Sequence, residues 1–270
     1  MTIPYCIQVE STDKAVEEVI LSTFSEIHAI YNNWNPASEI SQLNQLPAYQ
    51  KVALSPQLAS FLSFVDQMVI QTEGRFDPTV EPLQLLWKHS LQLGQLPSPQ
   101  DLEKLSPAIG WEKVHLENDL FWKEHPLTAI DLGGIAKGYA VDLLAERLAQ
   151  LGLRNIYIEW GGEVRTIGPH PEGRPWKVGI QGLSTIDLTN TAIATSGSYM
   201  QHWTLDNISY THIIDPRTQK PLHDSPITSV SVLAPTCAEA DAYATALMLF
   251  PTKEEALSWA QERNITLFIW

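Results

Sequence analysis

The run Asp131-Leu132-Gly133-Gly134-Ile135-Ala136-Lys137-Gly138-Tyr139-Ala140-Val141-Asp142 constrains this chain more than any other stretch. A mostly apolar segment, Leu127 to Ile130, leads into Asp131, and two glycines follow. Ala136, Ala140, Leu143, Leu144, Leu148 and Leu151 then recur at helical spacing until Gly152. The pattern predicts a strand, a glycine turn and a helix that Gly152 stops. Glycines let a backbone approach a ligand closely, and a helix N-terminus offers unpaired N–H groups and a positive dipole end to phosphate. Lys137 adds a cation near the helix start, and Asp131 a carboxylate at the turn. The spacing is neither G-x-x-x-x-G-K-[ST] nor G-x-G-x-x-G. On chemistry alone the segment serves equally as a tight turn or a phosphate site.

Around this run, 270 residues with 44% hydrophobic content suffice for a sizeable core, in one domain or two by length alone. No linker, low-complexity tract or internal repeat divides the chain, so it is read as a single domain over 1–270. The net charge of -14 gives a nucleic-acid partner no electrostatic support. The acidic residues are dispersed, as on a solvated surface. Cys6 and Cys237 are far apart and read as two free thiols, not as a disulfide framework or a zinc site. No apolar run of about 18 residues marks a transmembrane helix, and no basic-then-apolar leader begins at Met1.

Taken in order, residues 4–10 read as a short strand. Ser11 and Thr12 are cap candidates for a long helix whose inward stripe is Val16, Ile20, Phe24, Ile27, Tyr31 and Trp34, ended by Asn35-Pro36. Ser38, Glu39 and Asn44 lie beyond that stop. Ser55-Pro56 starts a second helix with Leu58, Leu62, Val65 and Met68 or Val69 buried, closed by Gly74. Asp77-Pro78-Thr79 reads as a turn or helix start. Ser98-Pro99 opens a short helix that stops near Leu105. Val114-His115-Leu116 and Leu120-Phe121-Trp122 form a hairpin. Asn155 to Trp160 is a strand closed by Gly161-Gly162; two glycine-ended strands side by side would make a cleft for a diphosphate. Strands follow at Val164 to Ile167, Trp176 to Gln181, Ala192 to Thr195 and Ile208 to Ile214, with Ser196-Gly197-Ser198 as a turn. Pro226 to Ala234 is β-rich. Helices follow near 238–250 and 253–263, with a last strand at 265–270. Many strands with few long helices indicate α+β with mixed or antiparallel sheets. Asp241 and Thr245, four apart, share a helix face. With alanines around them they leave room for a small oxygen-seeking cation, or form an ordinary surface pair.

The set of motifs, in order, resembles the ApbE family of flavin transferases. Asp131 to Asp142 is similar to that family's D-L-G-G-I-A-K-G-Y-A-V-D signature. Tyr31 to Asn44, Phe76 to Leu83 with Trp87, Gly161 to Arg165, Ala194 to Tyr199, His212 to Thr218 and Ala240 to Ala246 resemble further family motifs. The likeness spans roughly residues 12 to 250.

The resemblance implies an α+β fold of mixed and antiparallel sheets packed with helices, with an FAD cleft between lobes. It implies magnesium-dependent transfer of FMN from FAD to a Thr or Ser hydroxyl of an acceptor flavoprotein, with AMP released. The implied magnesium ligands are Asp241, Thr245 and the backbone carbonyl of Gly134. The implied flavin contacts are Tyr31, Asp77, Thr79, Asp131, Lys137, Gly161, Gly162, Ser196, His212 and Ile213. His212 is the candidate for deprotonating the incoming hydroxyl, and Asp241 is the catalytic metal ligand. Asp215 and Arg217 are expected to fix their own loop. Four positions depart from the family pattern: Tyr31 stands for methionine, Glu163 for aspartate, Ser198 for aspartate and Gln219 for glycine. Rival readings are an FAD diphosphatase giving FMN and AMP, and a non-catalytic flavin-binding protein. The family is usually exported; the chain as given reads as cytoplasmic, or as periplasmic if an export leader was removed.

Overall fold

A computed structural model describes residues 3–11, 13–180, 185–199 and 201–270. Thr12 and Gln181, named above as a cap candidate and a strand end, lie outside the described residues. The chain forms two compact units. Unit one comprises Met1–Ile27, Ile135–Ser196 and Ser229–Trp270; unit two comprises His28–Gly134 and Gly197–Thr228.

In chain order the described elements are β1 (Tyr5–Gln8), α1 (Lys14–Ile30), α2 (Glu39–Asn44), β2 (Val52–Ala53), α3 (Pro56–Gln71), α4 (Glu81–Gln92), α5 (Pro99–Leu105), β3 (Val114–Glu117), β4 (Leu120–Lys123), α6 (Ala136–Gln150), β5 (Ile156–Trp160), β6 (Glu163–Ile167), β7 (Trp176–Val178), β8 (Ile186–Leu188), β9 (Ala192–Gly197), β10 (His202–Leu205), β11 (Ile208–Asp215), β12 (Lys220–His223), β13 (Ser229–Ala234), α7 (Cys237–Leu247), α8 (Lys253–Glu262) and β14 (Thr266–Ile269). The fold is α+β, with helices packed on sheets.

Unit one is organised on a sheet of order β1-β5-β6-β9-β13-β14. Strands β5 and β6 are a tight hairpin, with Trp160 opposite Glu163 and only Gly161 and Gly162 between them. Both glycines have positive φ, 67° and 106°, as a two-residue primed turn demands. The paired glycines therefore turn a hairpin. Helix α6 lies on β5 and β6 and against α7. Val141, Leu144, Ala145 and Leu148 of α6 join Val16, Ile156, Ile158 and Cys237 in one core cluster. Burial pushes the Cys237 thiol well up, so it is an unreactive core residue.

Unit two carries the sheets β2-β4-β3 and β10-β11-β12. Helix α3 begins as read: Ser55 accepts from the Leu58 N–H at 3.2 Å with Pro56 at the first position. It buries Leu58, Phe61, Leu62, Val65, Met68 and Val69. Helix α4 packs on β10, β11 and β12, and Trp87 stacks with Tyr210. The hairpin β3–β4 turns at Asn118 and Asp119, both in the left-handed region.

Several sequence expectations are corrected. Leu127 to Ile130 form no strand; the segment is irregular, and its backbone is held by side chains described below. Helix α1 ends at Ile30, so Trp34 leaves the buried stripe and is 83% exposed, while Tyr31 is 2% exposed against Phe61. A helix, α2, follows Pro36 because Ser38 caps it, accepting from Ser41 N–H at 3.2 Å. Asp77 caps a 3₁₀ turn that runs straight into the twelve-residue α4, so Asp77-Pro78-Thr79 is a helix start, one of its two readings. Strand β9 continues through Ser196 and Gly197, so the turn starts only at Ser198. For α1 the described cap is Asp13, whose carboxylate accepts from Val16 N–H at 3.1 Å.

Gly138 fixes how closely α6 and α7 approach. A Cβ there would stand 2.4 Å from the Cys237 carbonyl oxygen and 2.8 Å from Ala238 Cα, both backbone atoms. Neither can yield without moving the start of α7. Gly138→Ala is therefore expected to cost about 2–3 kcal/mol; a lowered chemical-denaturation midpoint at unchanged m-value would show it, and an unchanged midpoint would contradict this packing.

Candidate functional site

In unit one, the polar groups cluster around the start of α7. Asp142 on α6 accepts from Cys237 N–H and Ala238 N–H, both at 2.9 Å. These are the first two amides of α7, which have no partner inside their own helix. The same carboxylate pairs with Arg165 of β6. One buried acid thus locks α6, β6 and α7 together, with Arg165 cancelling its charge.

One turn into α7, Asp241 is 4% exposed. Its Oδ2 accepts from Gly138 N–H at 3.2 Å. Thr245, a turn further on, has Oγ1 3.3 Å from Ser196 Oγ. The Asp241/Thr245 pair is therefore no surface pair: a deeply buried carboxylate and a hydroxyl sit on one face among alanines. Lys137 of α6 pairs with Glu163 of β6, Nζ to Oε1, at 2.5 Å. Glu163 is 1% exposed. Burial pushes the Asp241 carboxyl up, opposed by Lys137 and the Gly138 N–H. Burial pushes Glu163 up as well, and the Asp241 charge adds to it, while Lys137 opposes. Lys137 is held up against its own burial by Asp241 and then Glu163. Lys137 thus bonds Glu163 and lies within electrostatic reach of Asp241. A cluster of two buried carboxylates and one ammonium is stabilised by taking up a proton or a further cation.

The donor chemistry suits magnesium. The groups present are a carboxylate and hydroxyls, hard oxygens that suit Mg²⁺, which also keeps waters and substrate oxygens. Among the described residues no three His, Cys, Asp or Glu side chains converge as a metal cage, so a cation here would need hydroxyl and carbonyl oxygens as well.

In unit two, Asn44 replaces the missing strand partner at residues 127–130. Its Oδ1 accepts from Ile130 N–H at 2.8 Å, and its Nδ2 donates to the Ile130 carbonyl and to Glu81 Oε2, both at 2.9 Å. Asn33 Nδ2 donates to the same carbonyl. Lys123, 1% exposed, donates to the carbonyls of Asn44, Pro126 and Thr128. The chain then reaches Asp131, whose N–H donates to the Pro78 carbonyl at 2.8 Å and whose Oδ1 accepts from Gly133 N–H at 2.8 Å. Burial raises the Asp131 carboxyl; the Gly133 N–H, the Gln84 side chain and the charge of His212 oppose it. Asp131 and His212 are thus close enough to interact. His212 Nδ1 lies 3.3 Å from the Gln201 carbonyl.

Asp77 and Thr79 carry the local scaffold. Asp77 Oδ1 accepts from the Thr79 N–H and hydroxyl, its Oδ2 from Trp111 N–H, and Thr79 Oγ1 from Gly110 N–H. Thr79 is fully buried. Beside this scaffold is a cavity of about 490 Å³, lined by Asn33, Trp34, Asn44, Glu81, Leu85 and Leu127 among others. Ile213 is buried in β11. Asp215 accepts from the Arg217 backbone and guanidinium, so this pair fixes its loop.

Sequence reasoning left Asp142, Arg165, Glu81 and Lys123 without a role. Alternation along β4 was the available signal for Lys123, since it shares a face with buried Phe121.

Glu81 supplies a pH test. Burial and then Asp131 push its carboxyl up to about 7, with Lys123 opposing. The folded state therefore holds a proton that the unfolded chain releases near pH 4.5. Glu81 contributes a loss of stability as pH rises from about 4.5 to 7. The gross effect is about 3 kcal/mol, and partial solvent contact reduces it to about 1–2 kcal/mol. Wild type measured against Glu81→Gln should lose that much across the window; a pH-independent difference would mean an ordinary carboxylate.

Comparison with known proteins agrees with this architecture. The ApbE family model matches residues 1–269. A Chlamydia pneumoniae protein named FAD:protein FMN transferase is 45% identical over the whole chain and 88% of its own length. Its Chlamydia trachomatis counterpart of the same name is 44% identical, again over the whole chain and 88% of its own length. The solved flavin transferase ApbE of Vibrio cholerae superposes with a TM-score of 0.85 at 30% identity, covering 98% of this chain and 89% of that one.

Proposed function

The chain belongs to the ApbE family and is a transferase, and we propose that it moves FMN from FAD to a Thr or Ser hydroxyl of an acceptor flavoprotein, releasing AMP. The reading is carried by the buried Asp241 carboxylate, one turn from Thr245 and within electrostatic reach of the Lys137–Glu163 pair. A flavin-storage protein has no need of such an under-neutralised carboxylate, which is costly to bury.

Asp241 and Thr245 are the side chains proposed to hold magnesium, with the backbone carbonyl of Gly134, the residue before unit one resumes, as the third protein oxygen. Magnesium held by these oxygens would supply Lewis-acid polarisation of the diphosphate and offset the charge developing on the leaving AMP. Lys137, near the start of α6, offers its ammonium to a phosphate oxygen. The Gly161-Gly162 turn and Ser196 present backbone and hydroxyl groups to the same diphosphate. Asp131, His212 and Ile213 bind the flavin portion, with Tyr31, Asp77 and Thr79 shaping the wall behind it. His212 takes the proton from the incoming hydroxyl, whose oxygen attacks the FMN phosphorus as the bond to AMP breaks. Positioning and electrostatics supply most of the rate in such transfers.

AMP release from FAD, measured with and without magnesium and with a threonine-bearing acceptor, tests this. Asp241→Ala should lower magnesium-dependent AMP release at least about a hundredfold, the loss of several kcal/mol of charge stabilisation. The wild-type enzyme should add the mass of FMN to the acceptor. AMP released with water as the sole acceptor would assign a diphosphatase instead, and FAD left intact throughout would sink the catalytic reading.

A further inference from the structure

We propose that Glu163 is a second carboxylate of the cation site, its Oε2 joining Asp241 in binding the divalent ion. The inference rests on the magnesium reading of Asp241 and Thr245 above. Its starting observation is one atom: Glu163 Oε2 is buried and has no hydrogen-bond partner among the described residues. Its sister oxygen is taken by Lys137 at 2.5 Å. Buried carboxylate oxygens are ordinarily partnered, and an exception calls for an absent ion or water.

The surroundings favour an ion. Arg165 is already committed to Asp142, and Lys137 is divided between Glu163 and Asp241. Among the described residues no further cation pairs with Oε2. Glu163 is the first residue after the Gly161-Gly162 turn, and a Cβ on Gly161 would stand 2.7 Å from Ile3 Cγ2, 3.5 Å from Oε2 and 3.9 Å from Lys137 Cδ. The turn and Ile3 therefore close over the carboxylate and keep Oε2 buried. An aspartate at 163 would be one methylene shorter and would retract both oxygens toward β6. Glu163 thus has two roles at once: Oε1 holds Lys137, and Oε2 serves the cation.

The test is binding of Mn²⁺, a spectroscopic stand-in for Mg²⁺, to the FAD-free protein, followed by electron paramagnetic resonance. Wild type is compared with Glu163→Gln, Glu163→Asp, Lys137→Met and Asp241→Ala. Glu163→Gln keeps an oxygen for Lys137 and removes the charge; it should weaken Mn²⁺ binding at least about tenfold while the metal-free melting temperature stays at or above that of wild type. Glu163→Asp, which keeps the charge and retracts the oxygens, should weaken it several-fold, so the proposal stands even if the glutamine variant fails to fold. Lys137→Met should tighten binding, because it removes the competing ammonium. Glu163 serving merely to anchor Lys137 would leave the Glu163→Gln affinity within twofold of wild type while Asp241→Ala still loses the ion, and this would overturn the inference alone. Retention of Mn²⁺ by Asp241→Ala would overturn the magnesium reading itself, and this inference with it.

Discussion

The grip of Asp142 on the first turn of α7 is the interaction on which unit one depends. A helix that starts inside a protein carries amides with no internal partner, and leaving them bare is costly. Asp142 satisfies two of them at 2.9 Å and takes its counter-charge from Arg165. Burial alone pushes this carboxyl up, and Arg165 with the two amides pulls it back. Because the acid sits on α6 and the arginine on β6, the pair fixes three elements with one set of charges. Thr236 adds a conventional cap, accepting from Glu239 N–H at 3.3 Å. Asp241 then falls one turn inside an end that is already anchored, facing the amide of Gly138. The absence of a Cβ at Gly138 is what permits that proximity. The D-x₅-K-G-x₃-D pattern thus has a structural reading in its second half: Gly138 sets the distance and Asp142 sets the position of the helix carrying Asp241.

How much of this was legible in the sequence follows from how local each signal is. Caps are local: Ser55-Pro56 and Ser98-Pro99 announced α3 and α5, and Gly152 ended α6 at the expected place with φ of 92°. Turn chemistry is local, so the β3–β4 hairpin was marked; Gly161-Gly162 reads in sequence as a strand end at a ligand cleft and is instead the two-residue turn of the β5–β6 hairpin. Leu127 to Ile130 failed for the opposite reason. A mostly apolar run of four residues before a glycine turn looks like a buried strand, but whether a strand forms depends on a partner backbone. Here the partners are side chains, Asn44 and Asn33, some 86 and 97 residues distant. Nothing in the apolar run itself could reveal them. Trp34 failed similarly: the helical period extends to it on paper, and the helix ends at Ile30.

The polar site was half legible. Asp241 and Thr245 were recognisable as a pair on one helix face, but spacing alone could not separate a buried site from a surface pair. Their burial is decided by α6 and β9, elements far away in the chain. Glu163 was visible only as a departure from a motif. Its pairing with Lys137 spans 26 residues and depends on α6 lying across the β5–β6 hairpin, a long-range arrangement.

The four departures can now be argued as physical substitutions. Gln219 adopts φ of 59°, a conformation glycine reaches without steric cost and other residues reach at a penalty. The turn is therefore retained by force of its surroundings. The Gln219 carbonyl accepts from Trp87 Nε1 at 3.0 Å, its side-chain amide donates to Ser106 Oγ at 2.9 Å, and Asp215 and Arg217 close the loop just before it. Ser198 keeps a local anchor, its hydroxyl donating to the Thr228 carbonyl at 3.2 Å. Tyr31 puts a rigid ring edge-on to Phe61, 5.1 Å between centroids, where methionine would be an adaptable filler. These three leave the charges of the α6–α7 cluster alone. Glu163 is different in kind. It lengthens a carboxylate inside that cluster, next to the one ammonium that Asp241 also uses, so the departure that looks most conservative by residue class is the one placed to alter the chemistry.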